Sequence, residues 1–83
     1  MNYKKGDIVA TVTGFYVMII KDQIESNCAT VYAICDTKEV YLNCYRGWFS
    51  RLATEEEKDR LFQLLSKEGY SWDEENLQLI QEL

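Results

Sequence analysis

The segment RLATEEEKDRLFQLLSKEGYSW, residues 51–72, marks out one helix from start to stop, and the rest of a short chain has to cover that helix's apolar face. Thr54 stands where an N-cap belongs. Its hydroxyl oxygen is placed to accept from the N–H of Glu57, and the Glu57 carboxylate to accept from the N–H of Thr54, the reciprocal pairing of a capping box. Glu55, Glu56 and Glu57 fall in the first turn, where the helix dipole favours negative charge, and Lys67 falls in the last. Leu61, Phe62, Leu64 and Leu65 make the inward face, with Lys58, Asp59, Arg60 and Gln63 outside. Gly69 takes the left-handed position that ends the helix, and Tyr70 follows where an apolar contact with Leu65 is expected. The helix is therefore predicted over about 55–68.

Upstream the pattern changes to short β-branched runs. In KKGDIVATVTGFYVMIIKD, two strands near 7–12 and 15–21 flank a tight turn at Thr13-Gly14. DQIESN reads as a loop, and CATVYAIC with EVYLNC makes a second hairpin around DTK. YRGWFSRL is long enough for one short closing strand or a tight helical turn. Four or five short strands without proline predict an α+β chain: a small Src-homology-3-like (SH3-like) β-barrel or a strongly bent antiparallel sheet, capped by the helix. At 83 residues, 1–83 reads as a single domain, with a β-rich part at 1–53 and the helix plus a C-terminal segment at 54–83.

After the helix, GYSWDEENLQLIQEL has two readings. Tyr70 and Trp72 alternate, Leu77 and Leu79 alternate, and DEEN between them is turn-like, which makes a C-terminal β-hairpin. Asp73 as an N-cap with Leu77, Ile80 and Leu83 at helical spacing makes a second helix. The hairpin fits the residues on both sides of the turn and is the preferred reading.

RLATEEEKDRLFQLL followed by EGYSWDEENLQL resembles a recurring C-terminal module in small uncharacterised proteins of Bacteroides-type gut bacteria and their phages. That module combines an Arg-Leu-Ala-Thr opening, a helix and a Gly-Tyr-x-Trp hairpin, after a β-rich segment that begins with a Gly-Asp pair, as KKGDIV does here. The resemblance covers roughly residues 51–79. It implies the helix-plus-hairpin arrangement and a bacterial or mobile-element origin, and it brings no activity and no catalytic residue.

Composition narrows the function. The chain has no histidine, which removes the commonest general base and the commonest zinc ligand. Cys28, Cys35 and Cys44 show no CxxC spacing, and in a 28–35/39–44 hairpin Cys44 falls nearest Thr30, diagonal to Cys28; small core residues are the simpler reading. DEEN lacks the glycine and distant glutamate of a calcium loop, and the four glycines are isolated rather than gathered in a phosphate loop. No enzyme, no metal and no cofactor is expected. An odd cysteine count and no charged-then-apolar leader before Gly6 point to the cytoplasm, and GFYVMII is far shorter than the roughly twenty residues that cross a bilayer.

Net charge is −5, unevenly placed: residues 1–53 carry six bases and five acids, and residues 54–83 three bases and nine acids. Such acidity repels a phosphate backbone. The aromatics of the β-rich part exceed what a small core hides, and tyrosine and tryptophan are favoured in binding patches. Trp48, beside Gly47 and between Arg46 and Arg51, is the leading recognition residue, with Tyr45 and Tyr16 next. The expected function is a non-enzymatic protein- or peptide-interaction module. The alternative is a nucleic-acid-associated accessory protein of a bacterial or phage mobile element, which requires Lys4, Lys5, Lys21, Arg46 and Arg51 to form a basic stripe.

Overall fold

The computed structural model describes residues 3–82. Five strands, β1 (Ile8–Ala10), β2 (Val17–Glu25), β3 (Cys28–Cys35), β4 (Val40–Trp48) and β5 (Arg51–Leu52), form one antiparallel sheet in the order β4-β3-β2-β1-β5. Helix α1 (Glu55–Lys67) comes next, then a separate hairpin of β6 (Tyr70–Asp73) and β7 (Gln78–Gln81). The preferred hairpin reading holds. Asp73 Oδ1 accepts from the N–H groups of Glu75 and Asn76 at 3.0 and 3.2 Å, so the alternative N-cap residue instead organises the turn. Leu83, part of the alternative helical spacing, lies outside the described residues.

The connection between the two edge strands forces the sheet to bend. Laid flat, edges five strands apart are separated by about 19 Å, whereas the three steps from Trp48 to Arg51 reach at most about 11 Å. The bend is taken up at register shifts of β2 against β3 on either side of Ile20, and of β3 against β4 between Ala29 and Val31. Link residues Phe49 and Ser50 close the distance: Phe49 N–H donates to the Asn27 carbonyl at 3.0 Å, and Ser50 N–H to the Ala10 carbonyl at 2.9 Å. The two edges do not pair with each other, so of the two expected forms the strongly bent sheet is the one adopted and the barrel is not closed.

Both faces of this sheet are covered, which explains why IVA and VMII have no polar alternates. Ile8, Ala10, Val17, Ile19, Ala33 and Cys35 face α1 and pack with Leu61 and Leu65. Their alternates Val9, Met18 and Ile20 join Ala29, Val31 and Phe49 on the other side. Tyr3 meets Phe49 edge to face at 4.9 Å and extends that second cluster.

One expectation near the sheet is corrected. DQIESN is not a loop throughout: Asp22–Glu25 continue β2, and only Ser26 and Asn27 turn. Backbone pairing with β3 does not need apolar side chains, and Thr30 secures it by donating from Oγ1 to the Asp22 carbonyl and accepting from the Asp22 N–H. In YRGWFSRL the closing strand and not the helical turn is formed, by Arg51–Leu52 on β1, while its first four residues extend β4.

The helix starts as its sequence dictates. Thr54 accepts from Glu57 N–H at 3.2 Å and donates its own N–H to Glu57 Oε1 at 2.9 Å. It ends with Glu68 at the cap and Gly69 at φ 85°, and Tyr70 joins the cluster that contains Leu65. Arg60, expected outside, turns back instead: its Nη2 donates to the carbonyls of Gly14 and Phe15 at 2.7 and 3.0 Å and ties the β1–β2 turn to the helix.

Candidate functional site

Strand β4 is an outer strand, and its free edge carries the leading candidates. Opposite Cys44 stands Val31, but opposite Gly47 stands Ala29, so Thr30 faces two residues, Tyr45 and Arg46. This β-bulge re-aims the strand so that two consecutive side chains, Tyr45 and Arg46, both reach solvent. Tyr45 is 77% exposed and Trp48 57%, high values for side chains that bury readily. The Arg46 guanidinium lies 5.9 Å from the centroid of the Tyr45 ring. Beside Tyr45 a groove of about 230 Å³ opens between Lys21, Asp22, Thr30, Asn43 and Cys44.

Gly47 follows the bulge, where β4 passes close over the core. Its α-carbon faces the second core cluster, where a Cβ would stand 2.6 Å from Met18 Sδ and 3.1 Å from Val31 Cγ1. Met18 is fully buried, so its thioether has to shift within the core to admit that Cβ. Gly47→Ala is expected to cost about 1–2 kcal/mol by overpacking, read as a lower urea midpoint at unchanged slope. An unchanged midpoint would mean that the strand has room the packing denies.

The other two candidates lie elsewhere. Tyr16 comes after the β1–β2 turn, edge to face with Phe15 at 4.8 Å. Through the register of Val17 with Cys35 and Cys35 with Val40, it belongs to the opposite end of β4 from Trp48, roughly 25 Å of strand away. Arg51 is committed to the helix. Its two terminal nitrogens donate to Glu57 Oε1 and Oε2 at 2.8 and 2.9 Å, a bidentate pair in which the glutamate side chain is 15% exposed and the arginine 37%. Arg51, with help from Thr54, draws the Glu57 carboxyl down to a pKa of about 2. Nothing local in the sequence signals this pair, because six residues and a strand-to-helix corner separate its members.

One exposed aromatic not among the leading sequence candidates is Tyr41. It stands on β4 opposite Ile34, and its hydroxyl donates to Glu39 Oε2 at 3.1 Å, a bond that raises its pKa above the usual phenol value. Phe15 is exposed as well, at the β1–β2 turn, whereas Tyr3, Tyr32 and Phe49 pack inward. Phe49 is buried, and Tyr32 lies half-buried against Trp72 with ring centroids 5.1 Å apart. Lys5 and Lys21 both approach the Tyr32 ring, at 6.0 and 5.7 Å, so two of the five cations of the expected basic stripe do meet while Arg51 is drawn to the helix.

All three cysteines are free thiols. Cys28 stands opposite Trp48 and Cys44 opposite Val31, one residue from the expected register. Burial raises the Cys35 pKa, against the opposing influence of Arg60, which makes that thiol a poor nucleophile at neutral pH. Among the described residues no three of His, Cys, Asp and Glu are grouped to hold a metal ion, and no helix is long and apolar enough to cross a membrane. Comparison with protein-family models, curated proteins and solved structures finds no match to this chain.

Proposed function

We propose that the chain is a non-enzymatic protein- or peptide-interaction module of the bacterial cytoplasm, in which Trp48, Tyr45 and Arg46 contact the partner. The observation that carries this reading is two large aromatic side chains held in water on the outer strand, one of them under an arginine. The bulge and the left-handed Asn43 (φ 55°) interrupt the free edge of β4. The strand therefore presents side chains more readily than a continuous ladder for an added strand.

A second reading, association with nucleic acid as part of a mobile element, draws on Lys5 and Lys21 meeting over Tyr32. The net charge of −5 opposes it. Affinity capture from a bacterial lysate, run with and without nuclease, separates the two. A discrete protein retained after nuclease treatment and lost on Tyr45→Ser is expected; retention of nucleic acid, or loss of every partner on digestion, would favour the second reading.

A further inference from the structure

The hairpin and the helix do not close on each other completely. Between them runs a groove of about 300 Å³, walled by Phe62 and Leu65 of α1 and by Tyr70 and Trp72 of β6, with Glu74 and Glu82 beside them. Ser66 and Ser71 complete its lining, so it holds three aromatic rings and two carboxylates and no cation. Its origin lies in the helix face: Leu61 and Leu65 sink fully into the sheet, whereas Phe62 is only half-buried, and Ser66, one turn further on, is exposed. Trp72 is backed by Tyr32 and forms a fixed wall. Glu82 is anchored by its N–H donating to the Gly69 carbonyl at 2.7 Å, and Glu74 sits in the turn that Asp73 organises.

We propose that this groove docks a basic segment of a protein partner, taking an arginine or lysine whose aliphatic stem lies along Phe62 and Trp72 and whose charged head meets Glu74 and Glu82. Long cationic side chains carry both parts: a stem that covers apolar surface, and a head drawn to ring faces and carboxylates. The helix and hairpin that wall the groove favour the same occupant, although Lys5 and Lys21 stand on the far side of Trp72, over Tyr32. Residues 54–82 hold nine acids and three bases, and two of those bases are already engaged, Lys58 with Glu55 and Arg60 with backbone carbonyls. A second copy of the chain carries a net charge of −5 and, like a phosphate backbone, would be repelled from the groove at long range. This surface is separate from β4, and it stands or falls independently of Trp48.

The test is a titration of the ¹⁵N-labelled full chain with a short, end-capped Gly/Ser peptide carrying one Leu-Arg-Leu core, and with the same peptide bearing neutral citrulline for arginine. Saturating shifts are expected at the Phe62, Ser66 and Ser71 amides and the Trp72 indole, with the citrulline peptide about fivefold weaker. The double variant Glu74→Gln/Glu82→Gln alters exposed residues only, and its other resonances report an intact fold. It should weaken the arginine peptide about fivefold and leave the citrulline peptide unchanged. Equal affinity of the two peptides, no saturable shift, or shifts confined to Tyr45 and Trp48 would overturn the proposal. So would shifts at the groove that grow with protein concentration alone, which would place a second copy there.

Discussion

Leu65→Ala is expected to destabilise the protein by about 3 kcal/mol and to lower its melting temperature by roughly 15 °C. Leu65 has no exposed surface and packs with Leu61 against Ile8, Val17, Ile19 and Ala33, the face of the sheet that α1 exists to cover. The lost transfer free energy and the cavity left behind add, because a helix held by its cap at one end and by Arg60 near its middle has little freedom to collapse into the gap. In a domain whose total stability is on the order of 5–10 kcal/mol, such a loss is a large share. Phe62→Ala, at a half-buried position on the same helix, should cost about half as much. Urea unfolding of the two variants side by side checks the order; a Leu65→Ala cost below about 1 kcal/mol would show that the helix is not the main cover of this core.

The second large effect is expected at Glu57. Its carboxylate serves the helix cap and the Arg51 pair together, so Glu57→Ala removes both and leaves a partly buried guanidinium without its counter-ion, at a cost of about 2–3 kcal/mol. The same residue sets a pH dependence. Its folded-state pKa of about 2 lies below the ordinary 4.5, so the stability it contributes is complete above pH 4.5 and is lost as pH falls toward 2. Allowing for the partial exposure of the pair, that contribution is about 2 kcal/mol. Asp36 and Asp73, each lowered by hydrogen bonds within its own turn, titrate in the same direction. The stability difference between the wild type and Glu57→Gln should therefore be largest near neutrality and fall below about half at pH 3. A difference that holds constant down to pH 3 would show that the pair acts through packing and not through charge.

What the sequence discloses here is what is decided within a few residues. The capping box at Thr54 and Glu57, the stop at Gly69 and the turn at Asp73 are all local, and all appear where the residues place them. What is decided by a distant partner stays hidden. The polar half of β2 is a strand because β3 offers it a ladder, and Arg60 leaves the solvent face because the carbonyls of Gly14 and Phe15 accept from it. Arg51 looks like a surface cation beside Trp48 until the corner between β5 and α1 brings Glu57 to it. Trp48 and Tyr45 are readable as surplus aromatics, but the bulge opposite Thr30 that turns Tyr45 and Arg46 outward together depends on a register that no local pattern encodes.

If Trp48 is kept in water for a partner and not for the fold, one comparison tests it most directly: thermal unfolding of Trp48→Ala alongside its capture of the partner retained by the wild type. A melting temperature within about 3 °C of wild type is expected, since the side chain is more than half exposed, together with binding weakened by about thirtyfold, the loss typical of a truncated aromatic anchor. Unfolding of the variant, or full retention of the partner at unchanged stability, would contradict it.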